Sequence, residues 1–317
     1  MRRKHNKIHD RSLKDGVWKT NPEFLSREAE SFYKSLFCHL DDVNLGCLGN
    51  VPLPSLNEEA CNNLTAPVTM EEVKTAVFHM NSFKAPGPDG FQAFFFKEYW
   101  EIIGLDVWKM VKQAFSGVTL DPRMLETLLV LIPKVESPVS MKDFRPISLC
   151  NVVYKIITKV LVNRLRPHLA EIVGPLQGGF IPGRGTPDNI IIAQEVLHFM
   201  KKTKSKKGTL TFKIDLEKAY DRVDWRFLAH TLKSFGFPIP TLNLIMNCVT
   251  ASSLSILWNG SRLNGFTPSR GLRQGDPMSP YLFVLCMERL ACFISHQVDL
   301  GLWEPVAISR GGPRIPT

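Results

Sequence analysis

The stretch FKIDLEKAYDRVDW, residues 212–225, gathers Asp215, Glu217, Asp221 and Asp224 in a 317-residue chain whose formal net charge is +9. Just upstream, the alternation in TLTFKID (209–215) puts Leu210, Phe212 and Ile214 on one face and Thr211, Lys213 and Asp215 on the other, which predicts a strand. Asp215 then ends that strand on its polar face. The residues after it turn helical. Asp224 stands where an N-cap belongs before WRFLAHTLKSFG, with Gly236 as the stop. Glu217 and Asp221 are four apart beside Lys218 and Arg222, a spacing read as solvent-exposed ion pairing. Packing and capping leave only Asp215 unexplained.

Working outward, the run KKTKSKK (201–207) leads directly into this cluster. Before it, Thr186 and Pro187 have the places of an N-cap and a first helical residue for DNIIIAQEVLHFM. The loop QGGFIPGRG resembles a phosphate-cradling P-loop only superficially, because Arg184 replaces its lysine, an extra glycine follows and a proline lies inside. NVVYKIITKVLVNRLRPHL (151–169) reads as an amphipathic helix with Lys155, Lys159 and Arg166 on its polar side. TLLVLIPK and FRPISL read as a hairpin carrying Lys134 and Arg145. Further upstream, Thr69 and Glu72 have capping-box spacing, the loop KAPGPDG (84–90) forbids regular structure, and FQAFFFKEYWEIIG continues as one long aromatic helix. Residues 1–63 read as a helical linker around NPEFLSREAESFYKSLFCHL. Downstream, SLSILWNGSRLNGF is a hairpin turning at Asn259-Gly260. PSRGLRQGDPMSPYLFVLCMERL follows as a loop and then a helix opening near Ser279-Pro280. In that loop Gly271 and Gly275 flank Gln274, so backbone approaches a flat ligand closely while a carboxamide offers both donor and acceptor.

The composition allows one large or two modest domains, and 39 Lys plus Arg against 30 Asp plus Glu fit a polyanionic partner. Seven cysteines, odd in number and without a Cys-x-x-Cys pair, fit a reducing compartment and give no structural zinc spacing. Cys286, Cys292 and His296 fall in an apolar helical run and read as core. The basic N-terminus lacks the apolar block of a secretory signal, and no run is read as approaching the roughly 18 apolar residues of a membrane span. The expectation is an intracellular protein of the nucleus or cytoplasm, with no membrane partner.

KAPGPDGF, LIPK followed by DFRPISL, QGGFIPGR, FKIDLEKAYDRV and GLRQGDPMSPYLF occur in an order and spacing that resemble the reverse transcriptases of plant LINE-type (non-long-terminal-repeat) retrotransposons. The resemblance covers roughly residues 64–312, and five ordered motifs make it specific where one alone is weak. It implies an α+β, helix-rich right-hand polymerase fold, with fingers over 64–207, an incomplete palm over 208–317 and no thumb. It implies that Asp215 binds metal with the backbone carbonyl of Leu216 and that Tyr220 collides with a ribose 2′-hydroxyl. Lys134 and Arg145 would hold the triphosphate, and Gln274 with Gly275 would position template base and incoming nucleotide. Lys84, Lys155, Lys159, Arg184 and Arg273 would face nucleic acid. The partners implied are an RNA template, a DNA primer and deoxynucleoside triphosphates, and the cofactor is Mg2+ as a pair of ions roughly 4 Å apart.

The family's second metal motif, an aromatic-Ala-Asp-Asp turn, would follow AISRGGPRIPT, where this sequence stops. Asp41-Asp42 is the only adjacent aspartate pair and lacks a strand-turn-strand setting, so it reads as solvated. With one matched carboxylate the expectation is negligible polymerisation by this chain alone. It also leaves an unpaired strand edge at Asp215. A non-catalytic nucleic-acid-binding remnant is the alternative reading. A metal-dependent nuclease or phosphotransferase using Asp215, Glu217 and Asp221 is a third, weakened because those acids lack a partner on another element.

Overall fold

TLLVLIPK and FRPISL pair as read. β1 (Thr127–Pro133) and β2 (Phe144–Cys150) form an antiparallel hairpin whose register sets Ile132 opposite Arg145 and Thr127 opposite Cys150. In this computed structural model, which describes residues 11–12, 18–19, 21–38, 46, 49, 51–203, 209–307 and 314–315, that hairpin is half of a four-stranded sheet. β3 (Leu254–Trp258) lies parallel to β1, and β4 (Ser261–Arg262) pairs antiparallel with β3, so the order is β2-β1-β3-β4. The turn between β3 and β4 is Asn259-Gly260 with φ of 49° and 98°, the doubly positive geometry that Asn-Gly favours.

One sheet face is covered by α1 (Pro22–Cys38). Leu25, Ala29, Tyr33, Leu36 and Phe37 recur at helical spacing, and they pack against Leu129, Leu131, Phe144, Ile256 and Trp258. The segment read as part of a linker is therefore a wall of the core. The physical reason is that an alternating sheet face must be buried against another element.

A larger core gathers α2 (Glu58–Thr65), α3 (Met70–Phe78), α5 (Trp100–Phe115), α6 (Val152–Leu165), α8 (Trp225–Ser234), α9 (Ile239–Thr250) and α10 (Ser279–Asp299). The aromatic run is two helices, α4 (Ala93–Glu98) and α5, broken at Tyr99. α7 (Thr186–Lys202) begins one residue earlier than read, with Gly185 as its N-cap. Val73, Leu161, Leu228 and Leu282 share one cluster, so the core runs across the boundary expected near residue 207. The Thr69–Glu72 capping box forms and is locked from α6: Arg164 Nε donates to Glu72 Oε1 at 2.7 Å and Nη1 to the Ala66 carbonyl at 2.6 Å.

α6 is buried around most of its circumference rather than on one stripe, leaving Lys155 and Lys159 half-buried. α10 also departs from the reading. Its 21 residues contain an 18-residue window of mean hydropathy 1.2, so it is long and apolar enough by length and composition to cross a membrane. Leu282 and Leu285 are fully enclosed in the core, and Glu288 and Arg289 are buried with them, which is the setting of a core helix.

The strand expected at 209–215 is not formed. These residues pair with no other strand, and Leu210, Phe212 and Ile214 are 80%, 79% and 68% exposed. Alternation alone does not make a strand, because its N–H and C=O groups need a neighbour, and among the described residues none is presented to this segment. Asp41-Asp42 and residues 204–207 of the lysine run lie outside the described residues.

Candidate nucleotide-binding site

The loop between β4 and α10 is fastened to the fold on both sides of Gln274. Arg273 is only 8% exposed; its Nη1 donates to the Cys248 carbonyl at 2.8 Å and its guanidinium stacks over Tyr154 at 4.4 Å. Asp276 is buried and accepts from the Tyr154 hydroxyl at 3.1 Å. Between these anchors, the Ser148 N–H on β2 donates to the Gln274 carbonyl at 2.7 Å. Gly275 has φ of 119°, and a Cβ there would lie 2.9 Å from the Ser148 carbonyl oxygen, so this position requires glycine.

A second segment meets this loop. After Asp215 the chain tightens into a 3-10 turn, Tyr220–Arg222, and Asp224 caps α8 by accepting from the N–H groups of Arg226 and Phe227 at 2.7 and 3.0 Å. The Leu272 N–H donates to the Tyr220 carbonyl at 2.7 Å, which joins the turn to the loop. Tyr220 stacks on Phe283 of α10 with centroids 4.6 Å apart and planes 20° apart.

Between hairpin, turn and loop lies a cavity of about 350 Å³, lined by Lys134, Arg145, Lys218, Tyr220, Asp221, Gln274 and Gly275 among others. The residues expected to hold a nucleotide thus converge from three separate stretches of sequence. Lys134 follows the end of β1 and Arg145 is an exposed position of β2, so both cations are offered from one end of the hairpin.

Two cavity residues were read only as exposed ion-pair partners or, for Asp221, as part of the weakened metal-dependent reading. Lys218, at φ 52°, is half-buried with its ammonium 5.4 Å from the Phe32 ring centroid, and burial pulls its pKa down. Asp221 is 1% exposed; its Oδ1 accepts from Gln274 Nε2 at 2.8 Å while Oδ2 has no hydrogen-bond partner. Burial pushes the Asp221 carboxyl up to about 6, against the pull of the Gln274 hydrogen bond, Lys218, Lys134 and Arg222. Glu217 does stay exposed, with Arg222 at 3.8 Å and Lys142 at 4.0 Å. Asp221 shares its helical spacing but not its surroundings, because the 3-10 turn rotates it inward; nothing in the local sequence signals this.

The other expected contact residues have varied surroundings. Arg273 lines the cavity too but is buried, with Nη1 and Nη2 donating to the carbonyls of Cys248 and Leu125 at 2.8 and 3.4 Å. Arg184 donates to the carbonyls of Gly174, Gln177, Ala170 and Val173, so it ties a loop to a helix end. Lys155 is half-buried and its pKa is lowered by burial. Lys84 is exposed next to Phe83, whose ring stacks on Phe94 at 5.4 Å. Asp215 and Leu216 are exposed on the unpaired segment and do not line the cavity. Among the described residues no group of three or more His, Cys, Asp or Glu is set to hold a metal ion.

The family model described as "Reverse transcriptase (RNA-dependent DNA polymerase)" matches residues 132–304, more than half of the chain and all of the cavity. The chain belongs to the reverse transcriptase family. Relatives of this reverse transcriptase domain include the "Transposon TX1 uncharacterized 149 kDa protein" of Xenopus laevis, 31% identical over 92% of the chain and 22% of that protein. The Pol polyprotein of the type-2 retrotransposable element R2DM of Drosophila melanogaster is 28% identical over 74% of the chain and 21% of its own length. The "RNA-directed DNA polymerase from mobile element jockey" of Drosophila funebris is 24% identical over 68% of this chain and 24% of its own length. These relatives make it a reverse transcriptase domain of the LINE type. The chain spans about a fifth of the length of the first two.

Proposed function

We propose that this chain is the nucleotide-binding portion of an RNA-directed DNA polymerase from a LINE-type element of the plant kind, working on an RNA template and a DNA primer. The observation that carries the reading is the convergence of Lys134, Arg145, Tyr220, Gln274 and Gly275 on one cavity. Two cations at the hairpin end suit the charge of a deoxynucleoside triphosphate. A stacked Tyr220 gives a rigid wall against which a ribose 2′-hydroxyl would collide. A carboxamide fixed in the wall offers a directional polar contact. In this reading the hairpin belongs to the fingers and the 3-10 turn and α10 to the palm.

Divalent ions serve the chemistry of this family, and Mg2+ is the ion we assign to the whole polymerase. Asp215 and the Leu216 carbonyl would be this chain's part of the ligand set. Lys84, Lys155 and Lys159 are its candidate contacts to template and primer backbone, with an intracellular site of action, nucleus or cytoplasm. Ultraviolet crosslinking of a radiolabelled deoxynucleoside triphosphate tests the reading. Label that maps to the peptide around Tyr220 or Gln274 supports it, and label confined to other peptides overturns it.

A binding role without catalysis is the second reading, favoured by the exposure of Asp215 on an unpaired segment. It predicts salt-dependent affinity for primer-template with no extension of the primer in magnesium or manganese.

A further inference from the structure

Asp221 is a carboxylate that neither ion pairing nor capping accounts for. It sits 1% exposed in the wall of the nucleotide cavity, on a turn fixed by three backbone hydrogen bonds. These are Asp221 N–H to the Lys218 carbonyl at 2.9 Å, Leu272 N–H to the Tyr220 carbonyl at 2.7 Å and Gly271 N–H to the Val223 carbonyl at 2.8 Å. Its neighbour across the seam is Gln274, whose backbone is held by Ser148 and whose Nε2 reaches Asp221 Oδ1 at 2.8 Å. Both ends of the glutamine are therefore constrained.

An ionised carboxylate only accepts hydrogen bonds, and a carboxamide has one donating and one accepting end. Asp221 therefore turns Nε2 toward itself and leaves Oε1 as the free end of Gln274. We propose that Asp221 is a positioning residue that fixes Gln274 as a hydrogen-bond acceptor toward an incoming nucleotide, selecting for a donor group on that ligand. This rests on the cavity being the nucleotide site. The charged groups facing Asp221 are Lys218 from its own turn, Arg222 beside it and Lys134 from the hairpin. Once protonated, Asp221 donates as well as accepts, and the carboxamide is no longer held one way round. The control then weakens on the acid side of the Asp221 titration, which burial has moved to about 6.

The test is isothermal titration of the full chain with dGTP in magnesium, from about pH 5 to about pH 8, for wild type, Asp221→Asn, Gln274→Leu and the double variant. Asn at 221 keeps the size and an accepting oxygen but adds a donor, so it stops dictating the orientation. Wild type is expected to bind roughly three- to tenfold more tightly than Asp221→Asn near pH 8, the worth of one hydrogen bond. That ratio should close toward one near pH 5. Dividing by the variant cancels protonation of the triphosphate itself. The double variant should bind no more weakly than Gln274→Leu alone. A buried structural carboxylate predicts a ratio independent of pH and penalties that add, and that outcome overturns the proposal while leaving the cavity assignment standing. Absence of dGTP binding by the wild-type chain at every pH overturns the cavity assignment and this proposal with it. Thermal melting of each variant confirms folding before titration.

Discussion

The N–H of Ser148 donates to the carbonyl of Gln274 across 2.7 Å, joining strand β2 to the loop that walls the cavity. That approach leaves no room for a side chain on the next residue. Gly275→Ala should cost roughly 1–3 kcal/mol, through its φ of 119° and its contact with the Ser148 oxygen. Chemical denaturation measures it; an unchanged midpoint would mean the loop is not seated on β2.

Asp221 makes stability fall as pH rises. Its native carboxyl titrates near 6, above the value of 3.8 for a free aspartate, so between those values the folded state binds more protons than the unfolded one. Its contribution is most favourable below about pH 4 and is lost as pH rises through about 6, a difference of up to about 3 kcal/mol. Asp221→Asn should thus be the more stable protein at neutral pH and equal to wild type near pH 4. Urea unfolding of the pair across this range checks the sign, and a wild type more stable at pH 7 refutes it.

Lys134 and Arg145 stand at one end of the hairpin, and neither anchors the core. Alanine at either should leave the melting temperature within a degree or two, by roughly the small effect of surface substitutions. Each should weaken triphosphate binding about tenfold, the order of one charge-assisted hydrogen bond. Titration at two salt concentrations reads this, with the smaller loss at high salt.

Arg184 and Arg273 should behave oppositely. Both are tied to backbone carbonyls, buried ones for Arg273 and part-buried or exposed ones for Arg184, so alanine should lower stability by about 1–3 kcal/mol at 273 and by about 1 kcal/mol at 184. The slope of nucleic-acid affinity against salt should not change, because neither neutralises a phosphate. A shallower slope in either variant would restore it to the binding surface.

Arg164 fills a site that lysine cannot. Its guanidinium spans both Glu72 oxygens and the carbonyls of Ala66 and Pro67. Arg164→Lys keeps the charge but loses the fork, and we expect about 2–4 kcal/mol of destabilisation. Differential scanning calorimetry decides it; a loss confined to Arg164→Met would show that charge alone suffices.

Features set by a few adjacent residues were legible in the sequence. The Thr69–Glu72 box, the Asp224 cap, the Asn259-Gly260 turn and the hairpin bearing Lys134 and Arg145 all follow from local chemistry. Features that depend on a distant partner were not. The alternation of 209–215 promised a strand but contains no information about its neighbour. Arg184 and Arg273 read as free cations because carbonyl acceptors are invisible in a sequence. Asp221 and Glu217 have equivalent places in the charge pattern, yet only the turn geometry decides which one is buried.

The central strand β1 takes one neighbour from the residues that directly follow it and the other, β3, from 127 positions downstream at Leu254 opposite Thr127. A ribosome must therefore deliver more than a hundred further residues before that edge is closed. Until then that edge of β1 has no partner, and an unpaired strand edge is a template on which another nascent chain can pair.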